Sequence, residues 1–374
     1  MDEREEGRHA FSDENAAGVS EVSSGQLELS GLFRNLPRIL CKMLAAFLVI
    51  GLWGACGFGG TGLGQATDLR SMRPIIERLI STGQVPVART TLANVKATAD
   101  EEPLRLYLTA RILFKEKHFN ESLVQLGKGL ELQKKAEPSH TAAAEVRNAW
   151  DSLTSEMCQL SGLNYVHLDR LDLAEPFLNT AVTMQPGNVW NHYHLGMLLY
   201  STSRFGLAVH HFRQAIQIRP RFGKAYDALG LVREEIEGTD SAIQAYRTAI
   251  ALNEQQGQRE ASPYFNLGRL LLRQDRPQES LPLLEAAVEL NSISAEAFYL
   301  LGKALYQVGR EKDAVRALQQ SARLDVDFPE PHYFMSRIYL KRQQTKEARK
   351  EAEIFRQLDS KRPKKQATGR KLPD

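Results

Sequence analysis

Cysteine is scarce in this chain of 374 residues, and the patterns through which cysteine usually acts are missing. The three cysteines, Cys41, Cys56 and Cys158, form no CxxC pair and have no spacing typical of metal ligands. The sequence therefore predicts neither a disulfide framework nor a zinc site. Cys158 falls among helical packing positions, where a free cysteine behaves as a small buried hydrophobic residue.

Catalytic signatures are missing as well. The sequence contains no Walker loop, no GxSxG nucleophile elbow and no HExxH motif. Four histidines, His192, His194, His210 and His211, lie close in sequence, but their helical positions do not converge on one point. We interpret them as surface or seam histidines rather than metal ligands. No catalytic residue, cofactor or metal site is predicted.

Charge of one sign is not in excess overall, since the net charge is only +3. The two ends differ: the first thirty residues hold eight acids and two arginines, and the last fourteen hold six bases and one acid. Neither end has apolar periodicity, so residues 1–42 and 361–374 are predicted to be disordered tails. Binding to nucleic acid would depend on the basic tail alone and is not predicted.

A charge-free run breaks the otherwise polar pattern, and three bases within residues 34–42 precede it. Residues 43–66 are therefore interpreted as a signal peptide or a signal anchor, with cleavage after Ala66 or lipidation at Cys56 as alternatives to retention. If uncleaved, residues 43–63 would attach the chain to a membrane. Both alternatives predict an extracytoplasmic protein, either periplasmic or secreted.

A short pattern returns every 34 residues through most of the remaining chain. Copies begin near residues 155, 189, 223, 261, 295 and 329, and a four-residue insert, 257–260, lengthens one step. Position 8 is glycine or serine in Gly162, Gly196, Gly230, Gly268, Gly302 and Ser336. Position 20 is small in Ala174, Ala208, Ala242, Ser280, Ala314 and Ala348. Position 24 is bulky in Leu178, Phe212, Tyr246, Leu284 and Leu318.

Within each copy, apolar residues recur at steps of three and four in two runs separated by a polar turn, which predicts two amphipathic helices. The small residues at positions 8 and 20 would let these helices approach closely. One helix pair cannot bury its apolar face alone, so the copies are expected to stack into a right-handed all-α solenoid. Arg204 falls in a turn and is expected to be a neutral surface position, and the acids Glu234 and Glu235 a solvated helix face.

These positions resemble the signature of the tetratricopeptide repeat family, which consists of helix-turn-helix units of about 34 residues. The resemblance is specific over residues 155–360, where five of the six copies match at most signature positions. Residues 69–136 are interpreted as divergent helices of the same kind, and residues 137–154 as a helical insertion. The resemblance implies a scaffold or adaptor that binds other proteins on a concave face formed by the first helices.

In the last three copies, aromatic residues at position 5 are followed by bases at positions 9 and 13. This pattern predicts a groove for an extended acidic or C-terminal peptide, through stacking and charge-assisted hydrogen bonds. The alternative is that the aromatic residues pack on neighbouring first helices and the bases are only solubilising charge. One asparagine matches the carboxylate clamp of some family members. The predicted groove residues are Phe265, Asn266, Arg269, Arg273, Tyr299, Lys303, Tyr333, Arg337 and Lys341. Two alternatives stay open: an accessory subunit of an envelope-assembly or enzymatic complex, and an unrecognised enzyme.

Overall fold

The computed structural model describes residues 68–362. Our predictions for residues 1–42, for the signal or anchor segment 43–66, and for residues 363–374 of the tail lie outside this range. Lys361, the first residue of the predicted tail, is instead the last residue of a helix. Among residues 68–362, no helix is both long and apolar enough to cross a membrane.

The described residues form helices joined by short turns and loops. The helices are α1 (Leu69–Ser81), α2 (Val85–Asn94), α3 (Glu102–Lys115), α4 (Phe119–Lys135), α5 (Ala144–His167), α6 (Leu171–Met184), α7 (Val189–Ser201), α8 (Phe205–Ile218), α9 (Gly223–Ile236), α10 (Thr239–Gln255), α11 (Ala261–Arg273), α12 (Pro277–Leu290), α13 (Ala295–Gln307), α14 (Glu311–Leu324), α15 (Glu330–Lys341) and α16 (Thr345–Lys361). Each odd-numbered helix packs against the even-numbered helix that follows it, and each pair packs against the next. The predicted all-α stack of helix pairs is confirmed.

The curvature of the stack follows from which helices contact each other between pairs. Every odd-numbered helix has backbone contacts with the next odd-numbered helix, from α1 through α15. Within residues 68–362, no even-numbered helix has such a contact with another even-numbered helix. First helices are therefore closer together than second helices, and the stack curves toward the first helices. We call the inner surface of α5, α7, α9, α11, α13 and α15 the concave face.

Close helix crossing explains the glycine at position 8. A Cβ placed on Gly196 would lie 2.6 Å from the ring of Phe212, and one placed on Gly230 would lie 2.4 Å from the ring of Tyr246. Both rings are completely buried. The large residue at position 24 thus occupies the space that the glycine leaves, so small and large positions fit together within each pair.

The turn inside each pair ends the first helix with a residue in the left-handed region. Position 15 has a positive φ at Asp169, Ser203, Asp275 and Gln343, and again at Gly309. Such a residue closes a helix end and reverses the chain, and Asp and Ser tolerate this conformation less readily than glycine does. The turn geometry is therefore imposed by the packing of the pair more than by local residue preference.

Two departures from the regular repeat lengthen helices. Residues 144–154 form the first part of α5, and Trp150 Nε1 in this part donates to the Gln133 carbonyl at 2.8 Å. The four-residue insert follows α10, which has 17 residues where α8 and α12 have 14. Gly257, with φ +65°, lies in the turn that follows α10.

Two interpretations of individual residues differ from the structure. Arg204 is not a neutral turn residue, because its guanidinium forms two hydrogen bonds, 2.6 and 2.8 Å long, with the carboxylate of Glu175 in the preceding pair. Glu234 is not a solvated acid, since its side chain is only 5% exposed.

Cys158 is buried, and burial raises the pKa of its thiol to about 11.

Candidate functional site: the concave face of the last three pairs

The predicted aromatic residues at position 5 lie on three successive first helices, α11, α13 and α15. Phe265 and Tyr299 are half-buried, and Tyr333 is 44% exposed. The ring of Tyr299 meets Phe328 edge to face, with centroids 5.4 Å apart, and the ring of Tyr333 lies 5.2 Å from that of Phe355. These contacts fix the orientation of each ring while leaving part of it accessible.

Two of the predicted bases lie against aromatic rings. The ammonium of Lys303 is 5.6 Å from the centroid of Tyr299 and 6.0 Å from that of Phe334. The guanidinium carbon of Arg337 is 5.9 Å from the centroid of Tyr333. Within the part of the chain that the structure describes, neither base has an ion-pair partner. Because a cation–π contact leaves N–H groups available, both bases can donate hydrogen bonds to a ligand.

Two other predicted bases share one carboxylate within the protein. Arg269 and Arg273 both donate to the carboxylate of Glu234 on α9, at 2.9 and 3.1 Å. The same carboxylate accepts a 2.5 Å hydrogen bond from the hydroxyl of Tyr246. This arrangement ties α11 to the preceding pair, and it offsets one of the two positive charges that the sequence pattern had predicted for this copy.

The C-terminal end of the predicted groove has a paired base and two aromatic residues that the sequence pattern did not single out. The ammonium of Lys341 is 2.8 Å from a carboxylate oxygen of Glu311 and 5.3 Å from the ring centroid of Tyr306. Tyr306 and Phe334 meet edge to face, with centroids 5.7 Å apart. Helical position could have indicated both, because they occupy positions 12 and 6, next to the predicted stripe.

Asn266, the predicted clamp residue, is used inside the protein. Its side-chain amide donates to Asp227 at 2.9 Å and to Ser262 at 3.3 Å, and the residue is only 7% exposed. Burial raises the pKa of Asp227 to about 6, although its hydrogen bonds from Ser262 and Asn266 partly oppose that shift. Asn266 therefore holds α11 against α9, and its amide is not presented to the groove.

Comparison with known families assigns the repeat. A model of the tetratricopeptide repeat matches residues 265–329, and a second model of the same repeat matches residues 155–188 and 191–222. These segments of the chain are tetratricopeptide repeats (TPRs). Their fold is that of a scaffold for protein–protein interaction. No curated protein matches the chain by sequence.

Three solved structures are similar to this chain at low sequence identity. A structure from the functional characterization of Pseudomonas aeruginosa pilF is similar with a TM-score of 0.51 and 16% identity, over 64% of this chain and 98% of that chain. YrrB, described as a TPR protein with an unusual peptide-binding site, has a TM-score of 0.42 and 20% identity, over 49% of this chain and 93% of its own. TTC0263, a thermophilic TPR protein of Thermus thermophilus, has a TM-score of 0.41 and 16% identity, over 50% of this chain and 99% of its own.

The histidines that lie close in sequence, at 192–211, take part in two separate contacts. His192 Nδ1 lies 3.1 Å from His211 Nδ1, and His192 Nε2 lies 3.0 Å from the Pro186 carbonyl. His194 instead stacks on Trp190, with ring centroids 5.7 Å apart. No three His, Cys, Asp or Glu side chains within residues 68–362 are arranged to hold a metal ion. Burial, together with neighbouring basic side chains, lowers the pKa of His194 and of His211 to about 4.

Proposed function

We propose that this TPR protein is a non-catalytic adaptor that binds an extended acidic segment of another protein on the concave face of its last three helix pairs. One observation carries the proposal. Lys303 and Arg337 lie in the groove, each against an aromatic ring, and each lacks an acidic partner among residues 68–362. The other bases of the predicted groove have such partners, so these two are the groove bases available to pair with an acidic ligand.

The surroundings of Lys303 and Arg337 suit a peptide better than a small anion. Tyr299, Tyr306 and Tyr333 offer ring edges and hydroxyl groups along successive helices, and a peptide can contact several of them at once. Aromatic rings contribute large contact areas at low conformational cost, and bases beside them add hydrogen bonds to carboxylates. Affinity would therefore come from rings and charge together, as in other peptide grooves lined by secondary structure.

An array of extended peptides of graded acidic content, probed with the full chain, tests this proposal. We expect binding to increase with acidic content and to weaken as salt is added, because salt screens exposed charges. The best peptide is then measured by fluorescence polarisation against variants. Tyr299→Ala should weaken binding by about 2 kcal/mol, or roughly thirty-fold, as expected for a central aromatic anchor.

Lys303→Glu should weaken the acidic peptide at least as much and should also reduce the dependence of binding on salt. Lys312→Glu is the matched control, since it reverses one charge on the second helix of the same pair, where Lys312 is exposed. If both lysine variants bind the peptide as tightly as the parent chain, the predicted groove is only a solubilising surface.

We also propose that the chain is exported, with residues 43–66 as a cleaved signal or a retained anchor. The support is the charge-free run that follows three bases in the sequence. A reporter that is active only outside the cytoplasm, fused after Asp68, should be active. Silence of this reporter together with activity of a cytoplasmic one would refute export, and mass spectrometry of the mature N-terminus would separate cleavage from retention.

A further inference from the structure

A second feature lies at the edge of the concave face, where the loop before α15 meets the start of α13. A pocket of about 340 Å³ is lined there by Ala295, Glu296, Tyr299, Asp325, Phe328 and Glu330. Three of these six residues are acids, and two carry aromatic rings that meet edge to face. We call it the acidic pocket. Carboxylates around exposed rings suit a basic side chain, which can pair with the acids and lie over a ring.

The chain itself delivers a base to this pocket. Arg362, the last described residue, follows α16 and donates two hydrogen bonds to the carboxylate of Glu330, at 2.7 and 2.6 Å. This bidentate contact, together with the nearby carboxylates of Asp359 and Asp325, raises the pKa of the Arg362 guanidinium, although desolvation partly opposes it. The chain therefore passes the rim of the acidic pocket at the point where the basic residues begin.

Residues 363–374 carry four bases, Lys364, Lys365, Arg370 and Lys371, against one acid. An extended chain spans about 3.5 Å per residue, so chain connectivity limits Lys364 and Lys365 to a distance of at most about 11 Å from the Arg362 backbone. Attachment to the same chain also gives the segment a high effective concentration at the pocket. Length, position and charge thus favour these residues over any separate basic molecule.

We propose that residues 363–374 dock onto the acidic pocket, with the ammonium of Lys364 or Lys365 over Phe328 and between the carboxylates of Glu296 and Asp325. Among the described residues, Lys303 is the one base that lies against the Tyr299 ring, on a wall of the same pocket. Neither Glu296 nor Asp325 has an ion-pair partner among residues 68–362, so the pocket keeps negative charge to which a base can bind. This inference does not depend on the nature of the ligand proposed for the groove.

Tryptic cleavage of the folded full chain after Lys364 and Lys365 measures docking, because a docked lysine is protected and cleavage follows the open fraction. Glu296→Gln should speed this cleavage, toward the roughly three-fold limit that complete opening sets if the segment is docked about two-thirds of the time. Glu296→Gln combined with Asp325→Asn should speed it further. The amide in Asp325→Asn retains an oxygen that can accept the hydrogen bond from the Asp327 N–H. Glu353→Gln, which removes an exposed carboxylate of α16, should leave the rate unchanged.

Carbodiimide cross-linking of an equal mixture of isotopically light and heavy full chains identifies the occupant. Links from Lys364 or Lys365 to Glu296 or Asp325 within one chain support the proposal. Links that join light to heavy chains overturn it in favour of the tail of a second copy. Equal cleavage rates for the pocket variants and the parent chain, or links to Glu353 as frequent as those to Glu296, also overturn it. None of these outcomes depends on peptide binding at Lys303, so this proposal and the proposed function can fail separately.

Discussion

Replacing Gly196 by alanine tests the interlock that holds each helix pair together. In a helix, alanine is favoured over glycine by about 1 kcal/mol, so the change would stabilise an open position. At Gly196, however, the new Cβ would lie 2.6 Å from a ring carbon of Phe212, and this ring is completely buried. Overpacking of this kind costs about 1–3 kcal/mol. We therefore expect Gly196→Ala to be destabilising by up to about 2 kcal/mol.

Gly127→Ala is the matched control, because Gly127 lies in the middle of α4 and no atom lies within 4 Å of a Cβ placed on it. The free energies of unfolding of the two variants, measured by urea denaturation with circular dichroism, should differ by about 1–3 kcal/mol. Adding Phe212→Leu to Gly196→Ala should recover part of the lost stability. In the divergent copy within residues 69–136, Ala110 and Leu126 occupy positions 8 and 24, so alanine and leucine can pack together at these two positions. Equal stability of Gly196→Ala and Gly127→Ala would refute the proposed interlock.

Two further predictions concern buried charge. The pKa of His194 and of His211 lies at about 4 in the folded chain, below the ordinary value, so their contribution to stability is full above about pH 6.5 and is lost as the pH falls toward 4. Urea titrations at pH 7 and at pH 5 give the difference in unfolding free energy between the two pH values. This difference should be about 1–2 kcal/mol smaller in His194→Gln than in the parent chain, and an unchanged difference would contradict the assignment. Glu234→Ala leaves the hydroxyl of Tyr246 and the guanidinium of Arg269 without their carboxylate and should cost about 2 kcal/mol by the same assay, whereas a loss below about 0.5 kcal/mol would show that water replaces it.

The helix pairs could be predicted from the sequence because the pattern is repeated. A glycine at one helical position is weak evidence, but Gly162, Gly196, Gly230, Gly268 and Gly302 are five samples of the same packing requirement. Ser336 supports the same packing requirement, because a larger residue at position 8 is accompanied by a small one at position 24. It is the one copy of the six with a side chain at position 8, and the residue at its position 24 is the small Ala352.

The state of the groove charges could not be predicted in the same way, because it depends on contacts between copies. Arg269 pairs with Glu234, which is 35 residues earlier and stands at position 12 of the preceding copy. In the copies that precede those of Lys303 and Arg337, position 12 is Leu272 and Tyr306, respectively. Neither side chain carries the negative charge that would form an ion pair with the base. The signature positions of a single copy do not contain this relation, because it joins position 9 of one copy to position 12 of the copy before it.

The relation between position 9 and the preceding position 12 explains why the bases without an acidic partner among residues 68–362 lie at one end of the groove. Where position 12 is an acid, the base that follows it serves to join two helix pairs. Where position 12 is apolar or aromatic, the base that follows rests on a ring, as Lys303 does on Tyr299. The ligand surface is therefore a property of adjacent copies taken together. A base in one repeat becomes a candidate binding residue only when the preceding repeat offers it no carboxylate.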